Sequence, residues 1–435
     1  MDDQHIILAS GDGHVGALAE SYGDYLPKRL QGPFKEYLQG RIPRYASVKE
    51  TSYWPESFRK WFADTEGYDP NNGTPVAWDP KMRLKALDHS GVAAEVFYPD
   101  DQSNNDPPWA SGLATEPSGM TEGYPPELIR AGAQAYNRWL AEFCSTDPNR
   151  LLGATILGTL DDVNWCCEEI HRAYNDGLTT GVMLALEYYL PPYHHPRYDI
   201  LWETLCELDL PVIAHIGRGV PRYKGDDPRM HMGVSLMDGL PSTLRPFSCL
   251  IMGGILERFP ELRVAVAEIG VAWAPMFIGP LDAAHQAGEI MQAPRDVERQ
   301  ANLKMKPSEY FARQCYIIHS SNQRRYEFES PMIDMVPNTV FGSDIGHMEG
   351  WWPMFGPPEG TLPDPLPSIY DSFQPVEKAM PVDEARRLIW GGLEAQKVMP
   401  YLQENFFKLF RSVDRAALQK VADRVCPTAE DMGLV

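Results

Sequence analysis

Pro211-Val212-Ile213-Ala214-His215-Ile216 is a short apolar run that carries an imidazole at its end. It shows no clean alternation of polar and apolar residues, so it reads as a strand buried on both faces. Seven further runs have the same form, at 5–10, 94–98, 151–157, 181–186, 262–269, 315–318 and 339–344. Amphipathic stretches lie between them. Asp79-Pro80 offers an N-cap followed by proline at the first helical position, with Leu84 and Leu87 inside and Gly91 as the stop. Helical spacing also marks 125–144, 159–176 and 196–209. A closing helical pair is expected over 382–410, broken near Pro400. Eight strands alternating with helices predict an α/β fold, a (β/α)8 TIM barrel.

The chain has 435 residues, a formal net charge of -21 and 43% hydrophobic residues, enough for one large barrel with insertions. The barrel is expected over 1–410, with a helical extension over 411–435. Long insertions at 16–78 and 100–124 follow the first and second strands. Both emerge where a lid belongs, and the alternative is surface padding or subunit contact. Tyr22, Tyr25, Tyr53, Trp54, Trp61 and Trp109 in these insertions suggest an apolar or aromatic substrate, against ordinary packing.

With 60 acidic against 39 basic residues the surface repels phosphate backbones, so no nucleic-acid partner is expected. No stretch of about 18 apolar residues occurs, so no membrane partner is expected either. The start, Met1-Asp2-Asp3-Gln4-His5, does not read as a signal peptide. Seven cysteines without a Cys-x-x-Cys pair read as reduced thiols of a cytoplasmic protein.

The strand ends carry side chains that do not belong in a core. Asp12 and His14 follow the first run, His215 ends the fifth, Glu268 the sixth, His319 the seventh and Asp344 the eighth. In a barrel these ends converge on one mouth. Gathering ionisable groups there costs several kcal/mol each, roughly, unless they pair or bind a cation. Each residue alone reads as a core histidine or a capping aspartate; the set reads as a metal site. Asp12 and His14, two apart on extended chain, face the same way. Nitrogen and oxygen donors without thiolate suit one divalent ion, zinc by preference, with manganese, cobalt or iron as alternatives.

This pattern resembles the amidohydrolase superfamily, in the branch that includes aminocarboxymuconate-semialdehyde decarboxylase and the resorcylate-type decarboxylases. The resemblance runs from His5 to about Phe410. It is carried by Asp12-Gly13-His14-Val15, by Arg83-Leu84-Lys85-Ala86-Leu87-Asp88 with Gly91-Val92 and Phe97-Tyr98-Pro99, and by Tyr136-Asn137-Arg138-Trp139. It continues through Pro211 to Gly217, Gly254-Ile255-Leu256-Glu257-Arg258-Phe259-Pro260, Phe341-Gly342-Ser343-Asp344 and Glu404-Asn405-Phe406-Phe407-Lys408-Leu409-Phe410. The resemblance implies a metal-dependent barrel with Asp12, His14, His215 and Asp344 as ligands. Two departures stand out. The family shows His-x-His or Glu-x-His where this chain has Asp-x-His. Its decarboxylases carry histidine in a sixth-strand His-Met-Gly-Glu segment where this chain has Glu268-Ile269-Gly270-Val271.

Candidate catalytic residues are therefore Asp344, Glu268, His319, supplying the missing imidazole or merely orienting a ligand, and His347. His347 and Glu349 fit a Ser-Asp-x-x-His-x-Glu pattern after the last strand, and their alternative is loop packing. Arg218, Glu349 and Trp351 are candidate substrate contacts, with a solvated loop charge as the simpler reading of Arg218. His194 and His195 read as capping and packing before Pro196, and His231 as a loop residue. The first functional expectation is a hydrolase that attacks a small, apolar or aromatic substrate with metal-activated water, Asp344 moving the proton. The alternative is a non-oxidative decarboxylase on the same site. A third reading is a barrel that has lost its chemistry and binds a partner. A homodimer is expected by analogy with relatives.

Overall fold

A computed structural model describes residues 4–40, 67, 69, 72–99, 105–110, 124–186, 190–216, 228–291, 303–320, 337–345, 361–363, 379–381, 387 and 390–435. Eight parallel strands run in chain order: β1 (Ala9–Ser10), β2 (Ala94–Phe97), β3 (Leu151–Ile156), β4 (Gly181–Met183), β5 (Val212–His215), β6 (Val264–Ala267), β7 (Cys315–Ser320) and β8 (Thr339–Gly342). The Gly11 N–H donates to the Phe341 carbonyl at 2.7 Å and the Asp344 N–H to the Asp12 carbonyl at 2.8 Å, which brings β8 back to β1. The sheet is thus the predicted (β/α)8 TIM barrel. Seven of its strands are shorter than the apolar runs that announce them, whereas β7 runs on past its apolar stretch through His319 to Ser320.

Residues alternate between two buried apolar clusters. Val212 and Ala214 of β5 and Val264 and Val266 of β6 join one cluster; Ile213, Ala265 and Ala267 join the other. Both faces are covered, which is why these runs lack polar alternation. The period of two sets His215 on the Ile213 side of β5.

The helix Pro80–Ser90 starts where expected: the Asp79 carboxylate accepts from the Lys81 N–H at 2.8 Å, and Gly91 closes it at φ 65°. Asp162 likewise caps Val163–Asn175. His195 caps the 3-10 turn Pro196–Tyr198 through Nδ1, as its place before proline implied. Pro400 does not break the closing helical run. Ala395–Met399 continues through a π-helical turn, Pro400–Glu404, into Asn405–Leu409. Pro400 lacks an N–H, and the wider turn accommodates it without interrupting the run. Past this, Arg415–Val425 buries Leu418 and Ala422 in the same cluster as Ile7 and Val398.

The described parts of the two insertions pack on each other. The Trp109 ring lies 6.1 Å from Phe34 and 5.8 Å from Tyr37, and the Tyr22 hydroxyl donates to the Asn105 carbonyl at 2.8 Å. Tyr25 donates to Glu142 at 2.7 Å. Tyr22, Tyr25 and Trp109 therefore serve packing rather than a substrate surface, while Tyr53, Trp54 and Trp61 lie outside the described residues. All seven cysteines are free thiols. Among the described residues no helix is long and apolar enough to cross a membrane.

Candidate metal centre

The segment after β1 stays extended: Gly13 bridges Ile345 and His14 bridges Tyr98. Asp12 and His14 consequently share a face, as their spacing predicts. His215 arrives at the end of β5. One donor atom from each of Asp12, His14 and His215 lies within 4.8 Å of the others, and all three residues are fully buried. The eighth strand adds Asp344 and the sixth adds Glu268.

Together the five side chains form an arc in which carboxylates and imidazoles alternate. Asp344 Oδ1 is 3.3 Å from His14 Nε2, which is 3.5 Å from Asp12 Oδ1. Asp12 Oδ1 is 3.4 Å from His215 Nε2, which is 3.5 Å from Glu268 Oε2. Charge-assisted N–H···O bonds are shorter, about 2.7–2.9 Å. Donors bound at about 2.0–2.2 Å to one ion, at angles of roughly 90–109°, stand roughly 2.8–3.6 Å apart. The arc has the second spacing.

The imidazole tautomers agree with this. His14 Nδ1 is 2.8 Å from the Pro99 carbonyl and His215 Nδ1 is 2.9 Å from the Ile216 carbonyl. A carbonyl only accepts, so both rings carry a proton on Nδ1, and neutral rings present the Nε2 lone pair to the arc. A histidine that ligates a metal is oriented in this way by its second nitrogen. The residues present thus fit a divalent cation.

Burial works against charge on His215, but Asp12 beside it, then Glu268 and the Ile216 carbonyl, outweigh burial and raise its pKa from 6.5 to about 9. The metal-free site accordingly holds a proton that a cation must displace. That proton stabilises the metal-free fold fully below about pH 6.5, and the contribution fades as pH rises through 9. Apparent affinity for a divalent ion should rise by up to about tenfold per pH unit as pH approaches 9 and then level off. Metal-binding titrations at pH 6, 7.5 and 9 measure this, and a flat profile would show that no proton is displaced.

Two strand-end carboxylates sit on strained backbone. Glu268 has φ 62° and Asp344 φ 51°, both in the left-handed region. This costs roughly 1–2 kcal/mol per residue and turns each side chain toward an imidazole. His319, buried at the end of β7, is not among the three converging donors; its Cε1 stands 3.9 Å from where a β-carbon on Gly270 would lie. Arg218, His347, Glu349 and Trp351 lie outside the described residues.

The sequence reading missed the support beneath the site. Glu95 of β2 is fully buried, 3.1 Å from Arg83 Nε, and accepts a hydrogen bond from Ser343 Oγ. Ser10 Oγ accepts from the Ser343 N–H at 2.7 Å. Arg83 also donates to the His14 carbonyl at 2.7 Å. The Tyr98 ring packs 5.4 Å from His215, and its hydroxyl donates to the Gly11 carbonyl at 2.9 Å. One signal was available: Glu95 is a charge inside a run that otherwise reads as buried on both faces.

The amidohydrolase family model matches residues 77–391. A curated relative, decarboxylase orsB of Emericella nidulans, is 25% identical over 152 residues, 33% of this chain and 45% of that protein. The match thus spans less than half of that relative. Three solved structures share the architecture. 5-Carboxyvanillate decarboxylase LigW from Sphingomonas paucimobilis has TM-score 0.55 at 16% identity, covering 93% of this chain and 99% of that one. 5-Carboxyvanillate decarboxylase from Novosphingobium aromaticivorans, complexed with manganese and 4-hydroxy-3-methoxy-5-nitrobenzoic acid, has TM-score 0.56 at 17% identity, covering 94% and 99%. 2,6-Dihydroxybenzoate decarboxylase from Rhizobium has TM-score 0.51 at 18% identity, covering 94% and 99%. At these identities the structural likeness speaks for the shared barrel alone, but the family model covers well over half of the sequence: the chain belongs to the amidohydrolase family.

Proposed function

We propose that this protein is a metal-dependent, non-oxidative decarboxylase of a small hydroxyaromatic acid. This departs from the hydrolase expected first from sequence. The buried arc of Asp344, His14, Asp12, His215 and Glu268 carries the reading, because it provides a cation site fed from three strand ends, those of β1, β5 and β6, and from the turn after β8. The curated relative and the solved structures above are named as decarboxylases, which favours carbon–carbon cleavage over hydrolysis. Manganese in one of them supports a first-row divalent ion, without singling out the zinc preferred from sequence.

A divalent cation held by Asp12, His14, His215 and Asp344 would supply positive charge to the substrate carboxylate and its neighbouring hydroxyl oxygen. The chain's own residues do the rest. His14 and His215 are oriented by the Pro99 and Ile216 carbonyls, so the donor set is arranged before substrate arrives. Asp344, turned inward by its left-handed backbone, takes the proton of the substrate's ring hydroxyl as that oxygen meets the cation's charge and passes it to the ring carbon that bears the carboxylate; the product's hydroxyl regains a proton from water. The bond to the carboxylate then breaks, carbon dioxide leaves, and the electron pair returns to the ring.

The test is product analysis on manganese-loaded protein with a panel of ortho-hydroxybenzoic acids. Carbon dioxide should appear together with one deuterium on the ring carbon when the reaction runs in D2O. Entry of oxygen from labelled water into an acyl product, without carbon dioxide, would overturn this reading in favour of hydrolysis.

A further inference from the structure

Glu268 occupies the end of β6, and its placement is costly in two ways. Its backbone is left-handed, which a side chain with a β-carbon disfavours. Its carboxylate also stands in a site that already holds Asp12 and Asp344, and like charges gathered in a buried space repel one another. A residue held against both costs has something to face. Glu268 Oε2 faces His215 Nε2 at 3.5 Å, the same relation that Asp344 Oδ1 has to His14 Nε2 at 3.3 Å. The two ends of the arc are therefore built alike. Each has a strand-end carboxylate on left-handed backbone beside the Nε2 of an imidazole whose Nδ1 is tied to a carbonyl.

We propose that Glu268 is a fifth donor to the bound cation and that it sets which cation the site prefers. This rests on the metal-site reading above. With Glu268 the donor set becomes three carboxylates and two imidazoles. Oxygen-rich, five- or six-coordinate surroundings suit Mn(II), whereas Zn(II) is satisfied by three or four donors with a larger nitrogen share. Glu268 also offsets more of the cation's charge than a neutral side chain at this position could. The Glu268 side chain is 11% exposed, while those of Asp12, His14, His215 and Asp344 are fully buried. Glu268 thus stands on the solvent side of the arc, where it closes the donor set toward the mouth.

The alternative for Glu268 is a hydrogen-bond partner that only orients His215. Glutamine separates the two, because it still reaches the imidazole but is a poor ligand. Manganese binding to the full-length, metal-stripped wild type, Glu268→Gln and Glu268→His would be followed by titration and by the Mn(II) electron paramagnetic resonance spectrum. For Glu268→Gln, Mn(II) affinity should fall by more than about tenfold, Zn(II) affinity should change less, and the spectrum should change shape as the coordination changes. Glu268→His should move the preference toward Zn(II). An unaltered spectrum and Mn(II) affinity in Glu268→Gln would overturn the proposal. Failure of the wild type itself to bind either ion would instead overturn the metal-site reading beneath it. Circular dichroism on each variant ensures that a loss of affinity is not a loss of fold.

Discussion

His215→Ala should lower the affinity for a divalent cation by more than about 100-fold while leaving a folded barrel. Removing a residue that only supports a ligand typically costs about 10–100-fold, and losing a ligand costs more. His215 is central to the arc, since its Nε2 lies 3.4 Å from Asp12 and 3.5 Å from Glu268. Its loss removes one nitrogen donor and the imidazolium that otherwise offsets those two carboxylates in the metal-free site. The fold should survive because the strand hydrogen bonds of β5 are made by backbone, and Val212, Ile213 and Ala214 keep their burial. Metal content after gel filtration, read beside the far-ultraviolet circular dichroism spectrum, is the measurement. Undiminished metal in a folded variant would remove His215 from the ligand set.

Glu95→Leu should destabilise the protein by roughly 3–5 kcal/mol, the usual cost of removing one member of a buried ion pair. The Arg83 guanidinium would then sit fully buried without its carboxylate, and arginine cannot shed its charge. Arg83→Leu should cost less. Burial raises the Glu95 pKa to about 7; Arg83 and the Ser343 hydroxyl oppose this, and Asp12 and Asp344 add to it. Once Arg83 is gone, Glu95 can take up a proton and become neutral. Urea unfolding of both variants at pH 7 measures the difference, and equal losses would contradict this asymmetry. Glu95→Leu should also loosen the metal site, because the Glu95 carboxyl lies against Gly13, between Asp12 and His14. A β-carbon placed on Gly13 would come within 2.4 Å of it. That position has to be glycine for the strand end to pass so close.

Much of the fold is legible in the sequence for a definite reason. A strand buried on both faces must be apolar throughout, so β5 and β6 announce themselves without any knowledge of their neighbours. Helix starts such as Asp79-Pro80 are legible because capping is a local interaction. Pro400 was misread because whether a proline breaks a helix or is absorbed by a wider turn depends on what packs around it. Here the neighbouring Tyr401 and Leu402 are buried in the core.

The candidate ligands were legible as residue types at strand ends, since ionisable groups in apolar runs need a reason to be there. What the sequence by itself determined is the barrel, the six ionisable side chains at its strand ends, four of them as candidate ligands, and the shared face of Asp12 and His14. Only the tertiary structure decided that β8 returns to β1, that Glu268 turns inward beside His215, and that Glu95 and Arg83 lie buried beneath the site. Those are relations between segments tens to hundreds of residues apart. Local spacing carries no information about them, because they are fixed by the closure of the ring and the packing it imposes.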